Sequence, residues 1–170
     1  LDHLLGGKFY LLDAPAESPA GTQYCAYAVD CGSKKYILLS AFNTDRTAVD
    51  SRSVTVQVPR DMLSIADTSV LRYTALTSDT SVYDVIRSDL AAAGLLDAPW
   101  STNAETVSSV SAMGGIDAKN HVSSNWASYQ TLFEDSLTLK AFTGTRTVAA
   151  DMNQLVVTVS APSVMVIVVE

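Results

Sequence analysis

Basic side chains are scarce in this sequence. Eleven Lys and Arg stand against eighteen Asp and Glu, which leaves a formal net charge of −7. A nucleic-acid binder needs a basic surface to displace counterions, and a protein that docks on anionic lipid needs one too. Neither is expected here. Long apolar runs are also missing: none reaches the roughly 18 residues of a membrane span. The closing VMVIVVE has the length of one buried strand. Histidine and cysteine number two each, and His3 and His121 form no ligand cluster with the thiols, so no metal is expected. The chain has no G-x-S-x-G, Walker loop, H-E-x-x-H or G-x-G-x-x-G, and therefore no motif for a known nucleophile or cofactor. The start, Leu1-Asp2-His3, shows neither a signal-peptide pattern nor an initiator Met. The expectation is a chain that begins inside a longer precursor.

The two cysteines, Cys25 and Cys31, lie six residues apart in QYCAYAVDCG. On a straight strand that separation is about 20 Å, whereas a disulfide needs Cα atoms within about 7 Å. An internal bridge requires a turn or bulge between them. Two buried free thiols, or a bridge to another part of a precursor, are the other readings.

What is present is alternation. TQYCAYAVD places Tyr24, Ala26, Ala28 and Asp30 on one face, and Gln23, Cys25, Tyr27 and Val29 on the other. CGSKK reads as the turn into YILLSAFN, making a hairpin. In SVTVQVP, Val54, Val56 and Val58 share a side, the period-2 mark of a half-buried strand. KFYLL, SVLRYTAL, LTLKAFTG, NQLVVTVSAP and SVMVIVVE are further strands, with a tight Ala161-Pro162 link between the last two. SVMVIVVE is apolar almost throughout, which points to a central strand.

In the middle the period changes to helical. Val82, Val85, Ile86 and Leu90 define a helix over 82–93, capped by Ser81 with Asp84 and stopped by Gly94. Residues 97–121, with Pro99 and Gly114-Gly115, read as a long loop. A second helix is expected from Asn125, capped by Ser124, with Trp126, Tyr129, Leu132 and Phe133 on one inward face. These elements define a mainly β chain: an antiparallel β-sandwich of about eight strands with two short helices inserted mid-chain. Residues 1–170 read as a single domain.

Candidate chemistry is thin. Glycoside hydrolysis needs two carboxylates facing across the scissile bond. Glu105 and the Glu134-Asp135 pair are available, yet Glu134 and Asp135 fall on the wet side of a helix. His121, near Asp117 in a polar stretch, reads as solvated. Trp100, after Ala-Pro in a loop, is the candidate for stacking on a sugar ring. No catalytic residue is assigned. Ser and Thr make up roughly a fifth of the chain and Lys is rare, a flavour of secreted and cell-surface β-proteins.

YILLSAFNTDR, SVTVQVP, VLRYTALTSDTSVYDVI, NWASYQTLFEDSLTLKAF and LVVTVSAPSVMVIVVE, taken in order, resemble the sandwich strands that accompany the barrel of clan A glycoside hydrolases. The nearest likeness is to the C-terminal region of family thirty-nine, the β-xylosidase and α-L-iduronidase group. Leu71-Arg72-Tyr73, Met113-Gly114, Tyr129 with Leu132, and the final two strands would be the counterparts. The family's Arg-Ile-Asp becomes Arg72-Tyr73-Thr74, without the acid. The resemblance implies a non-catalytic accessory domain of an extracellular glycoside-hydrolase-like protein, buttressing a (β/α)₈ barrel absent from these residues. Its partners would be that barrel or other domains of the precursor. Two other functions fit the composition. One is a structural or adhesive cell-surface module that assembles into homo-oligomers or filaments. The other is a stand-alone carbohydrate-binding module.

Overall fold

The computed structural model describes residues 4, 6–13, 21–44, 50–95 and 115–170. Among them nine strands and two helices form. The strands before the helices are β1 (Lys8–Leu12), β2 (Gln23–Asp30), β3 (Lys35–Phe42), β4 (Asp50–Pro59) and β5 (Leu71–Thr77). Helices α1 (Val82–Ala92) and α2 (Gly115–Leu137) follow. The chain closes with β6 (Lys140–Ala141), β7 (Thr145–Val148), β8 (Met152–Ala161) and β9 (Ser163–Val169). The expected β-sandwich with mid-chain helices is the fold found. The chain divides into two compact units: the sandwich, up to Thr77 and from Thr138 onward, and the helix pair, Ser78–Leu137.

The sandwich has a six-stranded sheet in the order β1-β2-β3-β9-β5-β6 and a three-stranded sheet in the order β4-β8-β7. Every pairing is antiparallel. Alternation does the sorting, because successive side chains on a strand point to opposite faces. Val54, Val56 and Val58 of β4 pair across from Val157, Leu155 and Asn153 of β8 and turn inward. Ile37 and Leu39 of β3 turn inward opposite Ile167 and Met165 of β9. These rows merge into one core with Ala26, Ala28, Leu63, Ile65 and Leu71. A buried aliphatic side chain contributes about 1.5–3 kcal/mol relative to exposure, so this layer dominates the stability of the sandwich.

The β2–β3 hairpin forms as its sequence predicts. Gly32 takes φ +79°, a left-handed conformation that favours glycine, and its N–H donates to Asp30 Oδ1 at 2.8 Å. The expected central strand, β9, lies between β3 and β5. The short link at Pro162 carries the chain from the three-stranded sheet into the six-stranded one. LTLKAFTG departs from expectation: only Lys140–Ala141 pairs, and a separate strand starts at Thr145. Gly144 sits at the break. A Cβ there would stand 2.3 Å from the Val156 carbonyl oxygen, so only a residue without a side chain fits.

The helix pair is partly as expected. α1 is capped by Ser81, whose hydroxyl accepts from the Asp84 N–H at 3.5 Å, and Gly94 follows its end at φ +69°. α2 begins at Gly115, not at Asn125, so residues 115–121 are helix where a loop was expected. Its inward stripe runs through Ala118, Val122, Asn125, Tyr129, Leu132 and Ser136, at helical spacing. Ala, Asn and Ser on that stripe masked it as a polar stretch. The same stripe corrects the expected aromatic face. Trp126 and Phe133 lie one position round the helix and are 51% and 39% exposed, while Tyr129 is buried. Trp100, Glu105 and Met113-Gly114 lie outside the described residues.

Candidate functional site

Two features stand out, one in each unit. In the helix pair, Ser78, Asp79, Ser88, Asp89, Asn125 and Tyr129 line an open cleft of about 710 Å³. Asp89 is its focus. Its Oδ2 accepts from the Tyr129 hydroxyl and lies 2.8 Å from His121 Nε2. Asn125 Nδ2 donates to the His121 carbonyl oxygen at 2.9 Å, which steadies the turn that carries the histidine. His121 therefore pairs with Asp89, 32 residues earlier, and not with Asp117. Sequence reading found the histidine and missed its partner.

The electrostatics of this cluster suit holding more than reacting. The Tyr129 hydrogen bond, and then His121, keep the Asp89 carboxyl below its usual range. Burial, and then Asp89, push the Tyr129 phenol up to about 12. A general acid in glycoside hydrolysis needs its pKa raised, and Asp89 moves the other way. A phenol at about 12 stays protonated at neutral pH. One carboxylate oxygen with two donors ties α1 to α2. Glu134 and Asp135, the carboxylates the sequence offered, are both exposed, and Gln130 Nε2 donates to Glu134 at 2.8 Å. Among the described residues no cluster of three or more His, Cys, Asp or Glu is placed to hold a metal ion.

In the sandwich the feature is a surface. On the outer face of the three-stranded sheet stand Ser51, Ser53, Thr55 and Gln57 of β4, with Gln154, Thr158 and Ser160 of β8 around a single apolar residue of that strand, Val156. That is an ordinary wet face. The outer face of the six-stranded sheet is written differently. Leu11, Tyr27, Leu38 and Val166 form one row across four strands, and Phe9, Val29, Tyr36 and Val168 form the next, in which Val29 and Tyr36 are buried. Val164 pairs beside Leu76 in a third. Phe9 is 53% exposed, Leu11 66%, Phe42 57% and Val164 50%. The charged member of these rows, Arg72, is answered by Glu170 at 3.0 Å. A run of apolar residues along both faces of β9 belongs to a strand covered on both sides; here Val166 and Val168 on the outer side are half-buried and Val164 is half exposed.

The two cysteines are free thiols. β2 runs straight from Cys25 to Asp30, with no turn to bring the sulfurs together. Cys25 shares the outer face with Tyr27, and its hydrogen bond to that phenol raises the Tyr27 pKa. No helix among the described residues is long and apolar enough to cross a membrane. Set against known families, curated proteins and solved structures, the chain matches no family model, no curated protein and no solved structure. Fold and surface together define an antiparallel β-sandwich with an inserted helix pair and a partly exposed apolar sheet face.

Proposed function

We propose that this chain is a non-catalytic accessory β-sandwich domain of an extracellular glycoside-hydrolase-like protein, whose catalytic (β/α)₈ barrel lies elsewhere in the same polypeptide. The observation that carries the reading is the partly exposed apolar outer face of the six-stranded sheet, at Phe9, Leu11, Phe42 and Val164. A face of that kind marks an interaction site rather than a solvent boundary, and an accessory domain needs one. The order of strands and helices, which resembles the region after the barrel in family thirty-nine, supplies the kind of neighbour. Among the described residues the Asp89 cluster in the cleft holds no second carboxylate: Asp89 accepts from Tyr129 and pairs with His121 between two helices. The Ser/Thr-rich, Lys-poor composition fits an extracellular setting.

The test is an assay of the intact gene product beside this chain alone, on aryl β-xylosides and aryl α-L-iduronides. The intact protein is expected to release the aryl group. Two barrel glutamates about 5 Å apart would act in a retaining reaction. The 170-residue chain is expected to release nothing. Turnover by the chain itself, or a neighbouring domain of another fold, would overturn the reading.

A further inference from the structure

The edges of the two sheets are unequal. β1, β6 and β7 are edge strands of five, two and four residues. β4 is an edge strand of ten, and its register with β8 runs unbroken from Asp50 to Pro59. Among the described residues no strand pairs with its other side, and β1 of the facing sheet comes near it without pairing. Sheet proteins blunt their edges with short strands, lysines, prolines or bulges. β4 has no lysine and no bulge, and its one proline is its last residue.

The phase of the ladder shows which backbone groups are left over. The Arg60 N–H donates to the Asp151 carbonyl oxygen at 2.9 Å. That pair continues the β4–β8 register, and hydrogen-bonded pairs alternate with non-bonded ones. Arg52, Val54, Val56 and Val58 therefore bond to β8. Ser51, Ser53, Thr55 and Gln57 turn their N–H and C=O groups to the free edge. Pro59 obeys the same phase: it lacks an N–H, and its carbonyl accepts from Met62 and Leu63 at 3.2 and 3.0 Å. A row of such donor–acceptor sites on extended backbone recognises one kind of ligand, another extended strand.

β4 is itself such a strand, and it complements itself. Laid antiparallel on its own copy, Ser51 meets Gln57 and Ser53 meets Thr55. All the outward groups of both strands are then used, and Pro59 falls outside the row. Arg52 and Asp50 stand opposite Val56 and Val58, so no two like charges face each other, although each chain carries −7. Val54 meets Val54 on the inner side.

We propose that two copies of this chain pair edge to edge through β4, with Ser51 against Gln57 and Ser53 against Thr55, joining their three-stranded sheets into one of six strands. The pairing is isologous, so it uses up both edges and stops at a dimer. It goes beyond the accessory-domain reading and depends on no other domain.

Sedimentation velocity and amide hydrogen exchange across a concentration series test it. The mass is expected to double as concentration rises. Exchange at Ser51, Ser53, Thr55 and Gln57 is expected to slow by about ten-fold or more in step with it. Thr55→Pro removes an outward N–H and no bond to β8, and is expected to weaken the dimer by about ten-fold or more. Ser53 and Thr55 are exposed, so charges there are compatible with folding. Ser53→Glu with Thr55→Glu sets like charges opposite each other across the dimer axis and is expected to raise its dissociation constant by about ten-fold. Ser53→Lys with Thr55→Glu sets opposite charges there and is expected to bring it back to within about three-fold of the unsubstituted chain. A monomeric mass at every concentration up to about 1 mM overturns the proposal. Slow exchange at the four amides in the dilute monomer overturns it too, because the edge would already be covered. A dimer on which the two charge variants act alike overturns the register, and the proposal with it.

Discussion

Asp89 accepts two hydrogen bonds on one oxygen, and this sets how the helix pair responds to acid and base. Its carboxyl is held below its usual value of 3.8, so it contributes stability above that value. The contribution is lost as the pH falls from there through the lower folded value. Tyr129 has the opposite sign. Its phenol rises from 10 to about 12, so its contribution is complete below pH 10 and fades as the pH climbs toward about 12. Asp89→Asn is expected to flatten the acid limb of helix loss, read by far-UV circular dichroism. Tyr129→Phe is expected to cost about 1–2 kcal/mol, by loss of a hydrogen bond to a charged group that is partly solvated. Hydrogen exchange along α1 and α2 measures it. Arg146 is the matching residue in the sandwich. Its guanidinium donates to Asn153 Oδ1 at 2.8 and 3.0 Å and to the carbonyl of Ala66 at 2.9 Å. Asn153 is fully buried. Arg146→Ala leaves its side-chain carbonyl without that donor and is expected to cost about 2 kcal/mol in urea melts. Arg146→Lys is expected to recover little of it, since one ammonium cannot reproduce a planar fork.

The elements differ in how legible they were. β4 and β9 were plain, because alternation is a local property and needs no partner to be recognised. α1 was plain as well: Ser81, the spaced apolar residues and Gly94 mark its start, face and end within one stretch. α2 was half hidden. Its inward stripe includes Asn125 and Ser136, which a hydrophobicity pattern counts as wet, and Trp126 and Phe133 flank the stripe. β6 was read as a longer strand, LTLKAFTG, and β7 was not read as a strand at all, because nothing local announces the close approach at Gly144. Paired substitutions on β9 test the division of faces. Ile167→Ala, on the inner face, is expected to cost about 2–5 kcal/mol, the lost transfer energy plus a cavity. Val164→Thr, on the outer face, is expected to stay within about 0.5 kcal/mol in this chain. Equal costs in urea denaturation would contradict the assignment of faces. Ser81→Ala is expected to remove about 1 kcal/mol of helix stability by leaving the Asp84 N–H uncapped.

At the scale of the whole molecule, the helix pair is an insertion in a hairpin. β5 and β6 pair antiparallel, with Tyr73 opposite Lys140, and residues 78–137 connect them. Every residue of the sandwich core lies outside that connection. Replacing residues 78–137 with a short Gly/Ser linker is therefore expected to leave a cooperatively melting β-protein. Closing a shorter loop also costs less entropy. Loss of the β signal in circular dichroism, or a non-cooperative calorimetric transition, would show that the sandwich depends on the inserted unit.

By itself the sequence determined which strand residues of β4 and β9 turn to the core, where the hairpin bends and that the chain is mainly β. These follow from periods of two and 3.6 residues and from glycine at the turns, all of which act within a few positions. The tertiary structure alone decided two things. It brought His121 and Tyr129 to Asp89, a meeting set by how two helices pack, across 32 and 40 residues. It also left part of one apolar sheet face exposed, at Phe9, Leu11, Phe42 and Val164. The three-stranded sheet covers the inner side of its partner, so on the outer side of β9 Val164 stays half exposed although the strand's spelling is that of a buried one.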